Sequence, residues 1–334
     1  MKLWHKLGAS MMLSGIAALA APHLALAQSI IKIDGSSTVF PIAEAVAEEF
    51  QISKRGKVRV TVGIAGTGGG FKRFCRGETD ISNASRPILK EEMEACRAAG
   101  IKYMELPVAF DALTVVVNPQ NTWVKSLTVA DLKKMWEPGA QGRVTKWNQV
   151  RSDWPAQNLM LFGPGADSGT FDYFTEAVNG KAKASRGDFT ASEDDNVLVQ
   201  GVENNKNALG YFGYAYYIAH KDKMRAVEID NGKGKTVAPS LEAVIDGSYQ
   251  PLSRPLFIYV RESSAQRPEV QEFIQFYLTQ GADLAKEVGY VPLPPQAYKT
   301  AQQHFKDRKL GTVFGGVPEV GVTIENLLAR EGKL

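Results

Sequence analysis

The strongest constraint on the fold is an order that recurs along the chain: a short apolar strand, a loop of Ser, Thr or Gly, then an amphipathic helix. Residues 30–33 are an apolar strand, Asp34-Gly35-Ser36-Ser37 end it, and Ile42, Val46 and Phe50 then recur at helical spacing. Residues 58–64 alternate as a second strand, Gly66-Thr67-Gly68-Gly69-Gly70 read as a turn, and a helix is expected from Phe71 to Cys75. A third strand, residues 80–84, ends at Ser85-Arg86-Pro87, where Pro87 suits the first turn of a helix. Strands alternating with helices predict an α/β chain with largely parallel sheets.

Two β-prone runs, residues 106–117 and 256–260, enclose a stretch with its own full set of elements. That stretch holds an amphipathic helix over 129–136, a strand over 159–162, the loop 163–169, a helix from Thr170 and an aromatic strand region over 209–217. After the second run come a helix over 268–287, the segment Gly289-Tyr290-Val291-Pro292-Leu293-Pro294 and a helix over 296–308. The inserted middle segment predicts two lobes, each a mainly parallel sheet flanked by helices, joined by two crossing strands. Residues 28–113 with 254–334 form the first lobe in this reading, and 114–253 the second. No repeat of fixed period, low-complexity tract or coiled-coil heptad is present.

The N-terminus reads as a secretory signal. Lys2 and Lys6 are its basic region, residues 11–26 are mostly apolar, and Ala25-Leu26-Ala27 fits a cleavage site before Gln28. A membrane span is the competing reading, but Gly15, Pro22 and His23 break the run below the roughly 20 residues a span needs. Removing 27 residues from 334 leaves 307, and the charge of +3 falls to +1 once Lys2 and Lys6 leave. So even a balance gives no global field for nucleic acid or an anionic membrane, and an anion has to be captured by local geometry.

Cys75 and Cys96 both lie in the mature part. An oxidising compartment lets them pair if geometry permits, and two small buried residues on neighbouring helices are the alternative. Only His220 and His304 remain after export, and neither has a second His or a Cys at metal-ligand spacing, so no metal or other cofactor is expected.

Three loops carry one chemistry. Ser36-Ser37-Thr38, residues 66–70 and Asp167-Ser168-Gly169-Thr170 each set Ser, Thr or Gly before a helix. A helix start offers unpaired N–H groups and the positive end of the dipole, and hydroxyls there donate to an oxyanion. Singly, each is an ordinary cap or turn. Together, in an open α/β sheet, they converge beyond the carboxyl ends of the strands, where ligands bind. Arg86 follows the third strand and suits a bidentate contact to the same anion, with Asp167 orienting the guanidinium across the lobes; a surface arginine or a structural ion pair is the alternative.

Gly35-Ser36-Ser37-Thr38-Val39-Phe40-Pro41, residues 66–70, Asn83-Ala84-Ser85-Arg86-Pro87 and Asp167-Ser168-Gly169-Thr170 together resemble the phosphate-binding components of Pst-type ABC importers, and residues 289–294 fit as well. The resemblance covers nearly the whole mature chain. It implies a type II periplasmic-binding fold, a periplasmic substrate-binding protein that is not an enzyme, phosphate closed between two lobes, delivery to a membrane permease, and a monomer. Carried over residue by residue, it implies phosphate ligands at Thr38, Thr67, Ser168, Gly169 and Thr170, with Ser37 as neighbour.

Two positions depart from the family pattern. Ser85 stands where an acidic residue is expected, and Pro164-Gly165 replace an expected arginine. Arg86, beside Ser85, is the repair the sequence suggests for the second. For the first, Asp111 and Asp167 are the remaining carboxylates able to accept the proton of HPO4²⁻ and repel sulfate. Sulfate or molybdate binding, a sensor without transport and a serine hydrolase or phosphatase remain as rival functions. The last needs a base beside Ser168 that His220 and His304 do not offer in sequence, and no segment has the P-loop spacing.

Overall fold

Residues 28–230, 232 and 234–333 are described by a computed structural model; the expected export signal, residues 1–27, lies outside the described residues. The first part of the chain alternates as the periodicity predicts: β1 (Ser29–Gly35), α1 (Phe40–Ser53), β2 (Val58–Val62), α2 (Gly66–Cys75), β3 (Ile81–Ala84) and α3 (Lys90–Ala98). β1 pairs in parallel with both β2 and β3. In α1, Ile42, Val46 and Phe50 fall on one buried face and Pro41 occupies the first turn, where its missing N–H costs nothing.

The glycine-rich segment 66–70 differs from expectation: it is the first part of α2, not a turn before it. Glycine is about 1 kcal/mol worse than alanine inside a helix, so tertiary packing has to decide the matter. It does so at Gly70, where a Cβ would lie 2.6 Å from the Cα of Gly35. Only glycine lets α2 lie this close to the end of β1. Cys75, at the end of α2, is joined by a disulfide to Cys96 in α3, which ties the two helices together.

β4 (Tyr103–Val117) is buried along its whole length. Beyond it come β5 (Ser126–Leu127), α4 (Val129–Trp136), β6 (Met160–Pro164), α5 (Gly169–Asn179), β7 (Thr190–Ser192), α6 (Asp195–Glu203), β8 (Ala208–Gly213) and α7 (Tyr214–Ala219). The aromatic run expected as strand through Tyr217 thus turns helical at Tyr214, whose N–H is held by the Asp111 carboxylate at 3.1 Å. The short β9 (Arg225–Ala226), β10 (Glu228–Asp230) and β11 (Thr236–Val237) and the one-turn α8 (Leu241–Ile245) follow. The chain then re-enters the large sheet as β12 (Ser253–Arg261) and closes with α9 (Pro268–Glu287), α10 (Pro295–Lys306) and α11 (Ile324–Glu331).

The large sheet has the order β2-β1-β3-β12-β4-β8-β6-β7. Its two ends are parallel blocks, and two antiparallel strands join them. Residues 103–112 of β4 run beside β12, and residues 113–117 run beside β8. β4 therefore leaves one block and enters the next between Ala112 and Leu113, opposite Ser253 of β12 and Gly213 of β8.

Each block has its own aromatic packing. Phe50 of α1 meets Phe273 of α9 edge-on at 5.2 Å, and Trp136 meets Tyr211 and Phe174 at 4.9 and 5.6 Å. Such pairs add about 0.5–1.5 kcal/mol each beyond the area they bury. Among the described residues no helix is long and apolar enough to cross a membrane.

Candidate anion-binding site

The carboxyl ends of the parallel strands open toward the handover of β4, and the helix starts that follow them meet there. The Thr38 hydroxyl, before α1, lies 2.9 Å from the Thr170 hydroxyl in the first turn of α5. The Thr67 hydroxyl of α2 lies 3.2 Å from that of Ser85, after β3. Gly169 fits between them, since a Cβ there would come within 2.4 Å of Thr67 Oγ1 and 2.5 Å of Ser85 Oγ. Thr38, Thr67, Ser85 and Thr170 are all buried. Among the described residues, the backbone N–H groups of Thr38, Thr67 and Gly169 find no acceptor, as first-turn amides do not.

Ser37 and Ser168 flank this group. The Ser37 hydroxyl donates to Asp195 Oδ1 at 3.4 Å. The Ser168 oxygen caps α5, accepting from the N–H groups of Thr170 and Phe171. Two tyrosines fix the first loop from outside: Tyr216 donates to the Ser37 carbonyl at 2.9 Å and Tyr290 to that of Thr38.

The positive charge of the site is Arg254, which the sequence reading missed. Its side chain is 0 % exposed. Nη2 reaches the Thr170 hydroxyl at 2.8 Å, Asp111 at 3.0 Å and the Thr38 hydroxyl at 3.3 Å, while Nη1 lies 3.4 Å from the Gly169 carbonyl. The placement follows from sheet register. Arg254 of β12 and Asp111 of β4 are cross-strand partners at the handover between blocks, so their side chains share a face. The signal available in sequence was Ser253-Arg254-Pro255 leading into a wholly apolar strand, because an arginine drawn into a buried strand requires a partner.

Asp195 is the second residue missed. Its neighbour Asp194 caps α6, accepting from the Asn196 N–H at 2.9 Å. Asp195, one residue on, turns inward and is fully buried, with Oδ2 unpaired. Burial pushes its carboxyl up to about 7, against the pull of Arg254. Asp111 is also raised by burial, with Arg254 again opposing.

Two expected roles are corrected. Arg86 is not part of this group: its Nε donates to Asp172 at 2.6 Å, and its two Nη groups donate to Glu92 at 2.8 Å each. A guanidinium held by two carboxylates has little charge left for an anion. Asp167 does not orient it either, being paired with Lys72 at 2.6 Å, because it sits on the outer side of α2. Asp111, expected as one of the carboxylates beside the anion, holds Arg254 and the start of α7.

The histidines lie elsewhere: His220 contacts the Tyr216 carbonyl at 3.0 Å and His304 lies 3.2 Å from Glu331. No His, Cys, Asp and Glu cluster fit for a metal occurs among the described residues.

Two α/β blocks joined by paired crossing strands, with helix starts facing one another at the join, define a type II periplasmic-binding fold. Residues 20–280 match the family model described as the PBP superfamily domain. The chain is 56% identical over 306 residues to Protein SphX of Synechococcus elongatus, covering 91% of this chain and 90% of that one. To the phosphate-binding protein PstS of Staphylococcus haemolyticus it is 42% identical over 278 residues, covering 82% and 84%. A provisionally assigned phosphate ABC transporter substrate-binding protein of Clostridium perfringens, solved with phosphate bound, matches with a TM-score of 0.66 at 26% identity, over 80% of this chain and 100% of that one. The chain belongs to the PBP superfamily and, within it, to the PstS-type phosphate-binding proteins.

Proposed function

We propose that this protein captures inorganic phosphate outside the cytoplasm, encloses it between two lobes and delivers it to the membrane permease of an ABC importer. The observation that carries the reading is Arg254, wholly buried and directed at hydroxyls from two different helix starts, Thr38 and Thr170. A guanidinium in that position is a charge-assisted partner for a small oxyanion, and the amides of Thr38, Thr67 and Gly169 supply neutral donors around it. The PstS relatives support phosphate as that anion and an importer as its destination.

The lobes in this reading are residues 28–113 with 254–334, and 114–253. Ser37, Thr38, Thr67, Ser85 and Arg254 come from the first, and Ser168, Gly169 and Thr170 from the second. Asp195 takes the role that the acidic residue absent at Ser85 has in the family pattern. Ionised, it accepts the proton that phosphate retains and repels fully charged sulfate. Cleavage before Gln28 releases a monomeric periplasmic protein, and the disulfide between Cys75 and Cys96 suits that compartment.

Titration calorimetry of the mature protein with phosphate, arsenate, sulfate and molybdate tests the ligand. Phosphate should bind far more tightly than sulfate at pH 8, and binding of sulfate or molybdate alone would remove the phosphate assignment. Deletion of the gene should abolish high-affinity phosphate uptake; intact uptake with altered phosphate signalling would make the protein a sensor instead.

A further inference from the structure

We propose that Arg86 and Asp172 are positioning residues, a latch remote from the anion that engages when the lobes close and slows ligand release. The inference rests on the two-lobed phosphate reading. Arg86 lies in the first lobe, after β3. Asp172 lies in the second, in the first turn of α5, the helix that starts with Gly169 and Thr170. The Arg86 Nε bond to Asp172, 2.6 Å, therefore fixes the ligand-facing helix to the opposite lobe without touching the ligand position.

The other partners of Arg86 are all on its own side. Glu92 of α3 accepts both Nη groups at 2.8 Å, and the Pro87 carbonyl accepts at 3.1 Å. Glu92 is itself fixed, since its carboxylate caps α3 at the Leu89 N–H, 2.9 Å, and its helix is tied to α2 by the disulfide. The guanidinium is thus pre-aimed before Asp172 arrives, which lowers the entropy cost of forming the contact. Phe71 stacks below it at 5.8 Å.

Asp172 has little else to hold it. Its Oδ1 has no hydrogen-bond partner, and Lys183 Nζ stands 4.0 Å away. Burial pushes the Asp172 carboxyl upward and Arg86 pulls it back. Both residues are nearly sealed, at 4 % and 2 % exposure. Pro318 and Val320, from the segment before α11, border the same small cavity, and that segment bridges the lobes through the Gly321 N–H to Tyr173 Oη at 3.0 Å and the Gly316 carbonyl to the Lys90 N–H at 3.1 Å. A pair that is dry when the lobes meet and wet when they part acts on release more than on encounter.

The test is a double-mutant cycle in the full mature protein, with Arg86→Gln, Asp172→Asn and the double variant, following phosphate binding by stopped-flow fluorescence and calorimetry. Each single variant should raise the dissociation rate constant about tenfold with the association rate constant within about twofold. The double variant should be no worse than the worse single one. The nearly isosteric Asp172→Asn keeps the test readable if Arg86→Gln folds poorly, and its unliganded melting temperature should match that of the wild type. Unchanged release, additive effects, or a lowered unliganded melting temperature with unchanged affinity would overturn the latch alone. Failure of the wild type to bind phosphate overturns the phosphate reading and the latch with it.

Discussion

Arg254 and Arg86 are both buried, both paired with carboxylates and both in contact with the first turn of α5, yet their surroundings give them different chemistry. Arg86 faces two carboxylates, Asp172 and Glu92, which together outweigh its charge. Arg254 is hydrogen-bonded to one, Asp111, and also to the hydroxyls of Thr38 and Thr170 and the Gly169 carbonyl, with the Tyr173 ring at 5.5 Å and Asp195 acting on it only through space. An anion approaching Arg86 meets a guanidinium whose donors are taken by two carboxylates; one approaching Arg254 meets a guanidinium bonded to a single carboxylate, beside hydroxyls and the free first-turn amides of Thr38, Thr67 and Gly169. Burial alone therefore does not mark a ligand arginine. The count of carboxylates hydrogen-bonded to it does.

The comparison is sharpest in affinity. Replacing Arg254 and Asp111 together, as Arg254→Met with Asp111→Asn, removes the pair without leaving an unpaired buried charge. Losing the charge-assisted bonds, about 1.5–3 kcal/mol each, should weaken phosphate binding by roughly a hundredfold or more. The Arg86 variants should lose about tenfold, through release. Calorimetry that ranked the two in the opposite order would reverse the assignment of roles.

Gly169→Ala should come next. Its Cβ would meet Thr67 Oγ1 and Ser85 Oγ at 2.4 and 2.5 Å, so α5 or both hydroxyls must shift. Forced overpacking costs about 1–3 kcal/mol, which predicts a loss in affinity of roughly ten- to a hundredfold. Full affinity in this variant would mean that the N-terminus of α5 does not face the anion.

Asp195→Asn should change discrimination more than affinity. In the wild type, a carboxyl raised to about 7 is ionised above that pH and repels sulfate; below it the protonated form becomes a donor. Sulfate binding should therefore strengthen as pH falls through about 7, and the asparagine variant should bind sulfate without that step. The same shift makes the stability that the unliganded protein draws from Asp195 full below the ordinary carboxylate range and lost as pH rises through about 7. A wild-type sulfate profile flat from pH 5 to 8 would remove Asp195 from the selectivity argument.

Much of this arrangement was legible in the residues. The strand, loop and helix order, the segment inserted between two β-prone runs and the Ser, Thr and Gly at the helix starts are local patterns, and local patterns survive in sequence. Arg254 was not legible for a particular reason. Its role depends on a cross-strand register with Asp111, 143 positions away, and no spacing encodes that pairing. Arg86 adjoins Ser85 in the chain, but adjacency along the chain does not say which carboxylates gather round a side chain. The glycine run at 66–70 has the propensity of a turn, and close packing against β1 overrides that propensity.

The smallest effect on affinity should come from the disulfide, which braces the Arg86 side of the comparison only. Cys75 and Cys96 are separated by 21 positions, and a cross-link of that size typically contributes about 3 kcal/mol through the unfolded chain. Cys75→Ser with Cys96→Ser should therefore lower the melting temperature clearly. Phosphate affinity should change by less than about threefold, because Thr67 and Ser85 stay in place through their own contacts. If the latch operates through Glu92, whose carbonyl lies 3.4 Å from the Cys75 sulfur, that small change should appear in the dissociation rate constant. It should also vanish in an Asp172→Asn background, where there is nothing left for α3 to brace. An undiminished effect in that background would separate the disulfide from the latch, leaving Arg86 positioned by its own two bonds to Glu92.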